Sequence, residues 1–350
     1  MAKTKALVVG ASGLVGSNLT RHLLSVGGWE VTALSRRPPT HIEGVRHLAV
    51  DLLDPGQCLA AARACLDVTH IFFCARAVES NYVINVDPNK EIVVNLLDAL
   101  LPIAARFQHI HIVHGMKWYG SNLGPYRTPA RESHRRLPGR NFYYEQLDAI
   151  VDRQQGQSWT WSSVRPHFIF GLSVGSPSNP VSTIGAYAAI LKELGLPLYF
   201  PGPEASFDAR LNVTDVGLLT TAMVWAATTP RCANNAFNIV NGDTFRWRDL
   251  WPLLARHFGM EAGGVNCVKI LDFMSDKQSL WEAVVRRYGL RSAKLEEIAD
   301  WAFADVLFAG AWDQTASVAK ARRFGFGEMV DTEKSLIRAL ERYRDLRLLP

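Results

Sequence analysis

Cysteine is scarce in this chain and poorly placed for metal. Cys58, Cys65, Cys74, Cys232 and Cys267 fall at no zinc-binding spacing, and their odd number leaves no complete disulfide framework. Three of them lie in hydrophobic runs, which points to buried free thiols in a reducing compartment and to no metal site. Blocks of five or six like charges are also absent. The net charge of +5 and pI near 9.0 therefore read as a solvated surface or a site for a phosphorylated cofactor, not as a nucleic-acid face. No apolar run reaches the length of a bilayer span. A strand begins within six residues of Met1 and leaves no room for a signal peptide. Neither an internal repeat nor a low-complexity segment occurs. The expectation is a soluble, cytoplasmic protein that binds neither nucleic acid nor membrane.

What is present is an alternation of strand and helix signals. "KALVVGA", "WEVTALSRR", "VRHLAVDL", "VTHIFFCA", "HIHIVHG" and "WSSVRPHFIFG" read as strands, with helical periods between them. Repeated β-α units of this length need right-handed crossovers and give a parallel, doubly wound, Rossmann-type sheet. After Gly171 the pattern changes, and from about residue 245 it is helical and rich in Trp. The organisation expected is a dinucleotide-binding domain over 1–171, with 205–242 returning to it. Residues 172–204 and 243–350 are expected to form a smaller, mainly helical cap over the carboxyl ends of the strands, where such sheets bind ligands.

Two motifs carry the cofactor reading. "GASGLVG" places Gly10, Gly13 and Gly16 directly after a strand, where they open a helix. The spacing differs by one from the dinucleotide fingerprint, and its logic is a tight turn with a pyrophosphate on the helix N-terminus. Ser12, Leu14 and Val15 belong to the same turn. About 20 residues on, where an acid would hold the ribose hydroxyls of NAD, stand Ser35, Arg36 and Arg37. Guanidinium groups bind a 2′-phosphate that a carboxylate would repel, so NADPH is the expected cofactor. Asp51 and Leu52 follow the third strand, where adenine is contacted. Cys74, Ala75, His114, Pro166, Phe168 and Ile169, towards the ends of later strands, are the remaining expected cofactor contacts.

The catalytic reading turns on one more absence. A reactive tyrosine in short-chain dehydrogenases has a lysine four residues later, and no Tyr here does: Leu147 follows Tyr143, and Asp148 follows Tyr144. Between Lys5 and Lys192 the only lysines are Lys90 and Lys117. Lys117 lies in "HGMKWYG", just past a strand end and on the sheet edge that the "NFYYEQLD" helix should approach. An ammonium beside a tyrosine lowers the phenol's pKa and can hold the nicotinamide ribose.

The segments "HGMKWYG" and "NFYYEQLD", with "SRRPP", "DVTHIFF" and "WSSVRPHFIFG", resemble the progesterone 5β-reductase / iridoid synthase family, an atypical branch of the extended short-chain dehydrogenases. The resemblance runs almost end to end. It implies NADPH-dependent reduction of an enone or enal, with Tyr143 at the carbonyl oxygen and Lys117 in support; both also face the cofactor. The serine or threonine of ordinary extended dehydrogenases has no equivalent near Gly115. Arg76 stands where the family's "V-T-W" segment has Trp and is an expected substrate contact; Trp118 is another, and Tyr144 a third that as a helix residue could equally be core. A carbonyl reductase, a nucleotide-sugar epimerase or dehydratase, and a non-enzymatic NADPH sensor are the alternatives. The missing Tyr-x-x-x-Lys pair argues against the epimerase. A homodimer is compatible with the sequence.

Overall fold

Buried strands alternating with amphipathic helices build the first half of the molecule, in a computed structural model that describes residues 3–39, 42–78, 84–292 and 294–350. The opening apolar run forms β1 (Thr4–Val9), and α1 (Leu14–Val26) turns Leu19 and Leu23 inward. β2 (Trp29–Ser35), β3 (Arg46–Ala49) and α2 (Pro55–Arg63) follow. Asp54 caps α2 by accepting from the Gly56 and Gln57 amides at 2.8 and 3.1 Å, and Pro55 sits where no amide donor is needed. β4 (His70–Phe73), α3 (Val86–Leu100), β5 (His109–Val113), α4 (Phe142–Gln154) and β6 (Thr160–Arg165) continue the series. The stretch "WSSVRPHFIFG" is not one strand. Pro166 cannot donate to the ladder, so β6 ends at Arg165 and Ile169–Phe170 form a separate short strand, β7.

The chain goes on through α5 (Pro180–Glu193), β8 (Leu198–Phe200), α6 (Glu204–Asp208), β9 (Thr214–Asp215), α7 (Val216–Thr228) and β10 (Asn235–Asn238). Seven strands pair in parallel in the order β10-β6-β5-β4-β1-β2-β3. The doubly wound sheet expected from the alternation is the one observed. From β1 the chain winds outward to β2, then returns to β4 on the other side. The reversal opens a crevice at the carboxyl ends of these strands. Val9 lies opposite Phe73, so the loops after β1 and β4 leave the sheet side by side.

The remaining elements are α8 (Trp247–Phe258), β11 (Ala262–Val265), α9 (Ile270–Met274), α10 (Gln278–Tyr288), α11 (Leu295–Ile298), α12 (Trp301–Ala309), α13 (Ala319–Arg323) and α14 (Thr332–Asp345). Most pack around α5, which is buried along almost its whole length. Trp247, Trp251 and Trp281 are fully buried there; Trp251 meets Phe200 and Phe308 edge to face at 5.2 and 5.8 Å. These tryptophans are core. Among the described residues, no helix is long and apolar enough to cross a membrane.

Candidate active site

A cleft of about 850 Å³ opens at the crevice between the β1 and β4 loops and runs toward α12. That volume suits a dinucleotide or another extended small molecule with most of its surface covered. At one end Gly10, Ser12, Gly13, Leu14 and Val15 line it at the N-terminus of α1. Gly10 has φ +82°, and a Cβ there would lie 2.7 Å from the Ala75 amide nitrogen. Only glycine allows the two loops to approach this closely. Gly16 stands behind the wall: a Cβ would lie 2.2 Å from the Gly10 carbonyl oxygen. The turn is thus packed to the backbone, and the N-terminus of α1, which has no side-chain cap, lines the cleft.

Arg36 and Arg37 line the same end. Ser35 lines it too, but its hydroxyl donates to the Arg37 carbonyl at 2.6 Å and lies 3.2 Å from Nε2 of His47. Its role is to shape the turn that presents the two arginines. Asp51 and Leu52 form the neighbouring wall, and the Asp51 carboxylate accepts from the Leu53 amide at 3.0 Å.

At the other end, Lys117 and Tyr143 line the cleft together. Lys117 sits in a short 3₁₀ turn (Met116–Tyr119) after β5, and Tyr143 in the first turn of α4. One side chain ties the two segments. Asn141, the N-cap of α4, accepts from the Tyr143 amide at 2.9 Å and donates to the Lys117 carbonyl at 2.8 Å. Burial, with the positive charge of Arg76 adding to it, pushes the Lys117 ammonium down from its usual value to about 8. Arg76 lines the cleft, as do Cys74, Ala75, His114, Pro166, Phe168 and Ile169.

Tyr144 and Trp118, expected as substrate contacts, are not among the residues that line the cleft. Adjacent helical residues point about 100° apart, so facing Tyr143 into the cleft turns Tyr144 away from it. Its hydroxyl donates to the Trp118 carbonyl at 2.5 Å and accepts from the Leu137 amide at 3.1 Å. Freeing it would strand the buried Trp118 carbonyl at about 1–3 kcal/mol. Trp118 is buried under the guanidinium of Arg165, 3.7 Å from the ring centre.

His114 is held by Ser163 Oγ at 2.8 Å from Nδ1, and its ring lies 5.0 Å from that of Tyr143. Burial, then the charge of Arg165, drives its pKa far down. The imidazole is therefore neutral, and its Nε2 is buried without a hydrogen-bond partner. The far wall comes from a part of the chain that carried no motif: Phe303, Val306, Trp312 and Gln314, in and after α12, with Ser176 and Ser178 before α5.

Residues 6–350 match the PRISE-like Rossmann-fold domain family. The (S)-8-oxocitronellyl enol synthase of Antirrhinum majus is 34% identical, over 99% of this chain and 92% of that protein. The 3-oxo-Delta(4,5)-steroid 5-beta-reductase of Arabidopsis thaliana is 32% identical, over 99% of this chain and 93% of that protein. Among solved structures, the Thermus thermophilus UDP-glucose 4-epimerase in complex with NAD superposes with a TM-score of 0.68, covering 97% of this chain and 99% of that one. At 17% identity that likeness concerns the fold alone.

Proposed function

We propose, from the premise that this chain belongs to the PRISE-like Rossmann-fold family, that it is an NADPH-dependent reductase of activated C=C bonds in a small enone or enal. The observation that carries the reading is the meeting of Lys117 and Tyr143 in one cleft, tied by Asn141, with the Tyr-x-x-x-Lys pair absent. Relatives named as a steroid 5-beta-reductase and an enol synthase support it.

The residues suit the cofactor. The glycine cradle would hold the pyrophosphate at α1, and Arg36 and Arg37 the 2′-phosphate. Ala75, Pro166 and Ile169 would flank the nicotinamide half. When bound, NADPH would supply the hydride for the β-carbon, and a proton from water would complete the α-carbon of the saturated product. Tyr143 donates a hydrogen bond to the carbonyl oxygen, whose negative charge grows as the enolate forms. A donor fixed before the reaction needs no reorganisation, and stabilisation of this kind is worth several kcal/mol in a water-poor cleft. Lys117 holds a positive charge beside that oxygen, and Arg76 sets the charge of the substrate end.

The test is NADPH and NADH consumption with a cyclic enone, an enal, a steroid enone and the matching saturated ketones. Turnover of the enones alone, to saturated carbonyl products and faster with NADPH, is the expected result. Turnover of saturated ketones would reassign the enzyme as a carbonyl reductase. Tight NADPH binding with no turnover of any member would leave only an NADPH-binding protein.

A pH dependence follows from Lys117. Its ammonium is present below about 8, so kcat/KM for NADPH, which reports groups of the free enzyme, should fall as pH rises through about 8. Arg76→Gln removes a charge that holds Lys117 down, and should move the inflection to higher pH. A profile that is flat through this range, or that does not move in the variant, would count against a charged Lys117.

A further inference from the structure

Gly115 ends β5's exit and caps the 3₁₀ turn that carries Lys117. Its backbone gives no reason for a glycine. With φ −179° and ψ −174° it is fully extended, a conformation open to any residue. The reason lies in space. A Cβ at 115 would stand 2.9 Å from the hydroxyl oxygen of Tyr143, with the Pro166 carbonyl oxygen next at 3.5 Å and Cζ of Tyr143 at 3.6 Å. The one crowded atom is therefore the phenolic oxygen itself. The ring and the nearby backbone are already at ordinary contact distance.

We infer that Gly115 is a positioning residue: its missing side chain is the recess that sets how deep the Tyr143 hydroxyl sits in the cleft. This rests on the reading of Tyr143 as the donor to the carbonyl oxygen. The ring cannot easily swing aside, since it is buried, with the Phe142 ring 4.0 Å away and the His114 ring 5.0 Å away. A methyl at 115 therefore displaces the hydroxyl by roughly half an ångström, towards the ordinary contact distance of ~3.4 Å or more. An oxygen aimed at a developing charge tolerates little displacement, and ~1 Å of misplacement costs about 100-fold in rate.

The recess also separates two ways of building the site. A side chain at 115 and a tyrosine hydroxyl at this depth exclude each other, so the chain has one donor at this spot. Nothing in the argument needs the cofactor, although Gly115 lines the cleft. Close approach of NADPH to a bare backbone is the rival explanation, and binding measurements separate the two.

The experiment is a double-mutant cycle of Gly115→Ala and Tyr143→Phe, read by kcat, by NADPH Kd and by thermal midpoint without ligand. Gly115→Ala should lower kcat about 10- to 100-fold while NADPH Kd stays within about twofold. It should also lower the thermal midpoint. In the Tyr143→Phe background the crowded oxygen is gone, and the nearest atoms to the new methyl lie at 3.5 and 3.6 Å. There, Gly115→Ala should cost no further rate and should restore much of the lost thermal midpoint. Equal losses in both backgrounds, or a fall in NADPH affinity matching the fall in kcat, would overturn the inference. The thermal arm does not require turnover. If Tyr143→Phe leaves kcat unchanged, the role of Tyr143 fails; if Tyr143→Phe is crippled and Gly115→Ala is not, only the recess fails.

Discussion

Tyr143→Phe should lose about 100- to 1,000-fold in kcat, the cost of deleting one preorganised oxyanion donor, while binding NADPH nearly as well as the parent. The split follows from the geometry. Tyr143 stands in the first turn of α4 at the substrate end, whereas the glycine cradle and Arg36 and Arg37 lie at the opposite end of the cleft. Phenylalanine keeps the ring that packs on Phe142 and His114, so the fold loses only a hydroxyl. Of the neighbouring groups, Tyr144 is committed to the backbone, and His114 is held by Ser163 through Nδ1 with its Nε2 unpaired. A variant with kcat within threefold of the parent, measured with the best enone at saturating NADPH, would remove Tyr143 from the chemistry.

The second large effect belongs to Gly16. Adding one carbon to it places that carbon 2.2 Å from the Gly10 carbonyl oxygen and 2.9 Å from Cα of Ala11. Both neighbours are backbone, and neither can rotate away. Relief requires α1 to move off the β1 loop, which disrupts the turn that would face the pyrophosphate. Overpacking of this kind costs about 1–3 kcal/mol, and the same displacement should weaken NADPH binding roughly 10- to 100-fold. Gly13 is the internal control for stability: a Cβ there has only the Gly10 carbonyl oxygen, at 3.4 Å. Calorimetry without ligand should therefore show Gly16→Ala well below the parent and Gly13→Ala close to it. A Gly16→Ala protein that melts with the parent and binds NADPH as tightly would refute the packing account.

Much of this site could be read in the primary structure because its logic is local. A glycine run after a strand, a pair of arginines after the next strand and a lysine at a strand end each depend on a few neighbouring residues. The sheet order then brings them to one edge. What escaped was the part set by orientation and by distance along the chain. Nothing in "NFYYEQLD" says which of its two tyrosines faces the cleft; the helix phase decides, and Asn141 fixes the phase through the Lys117 carbonyl. Ser35 stands where an acid would meet the ribose hydroxyls, and the sequence did not show that its own turn also uses its hydroxyl. The wall from Phe303 to Gln314 carries no motif at all, since apolar residues on a short helix look the same whether they face a core or a substrate. Pro166 marked the break, but the β-branched and aromatic residues of the whole run let it read as one strand.

The cleft's walls come from opposite parts of the chain, residues 10–53 on one side and 303–314 on the other. Whatever fills it is a removable cross-link between segments some 250 residues apart. By mass action, a ligand at a hundred times its dissociation constant adds about 2.7 kcal/mol to the folded state. The durability of this protein is then partly a property of the nucleotide pool around it. A substitution that weakens the cradle would shorten its life in the cell even where the rate of the chemistry is untouched.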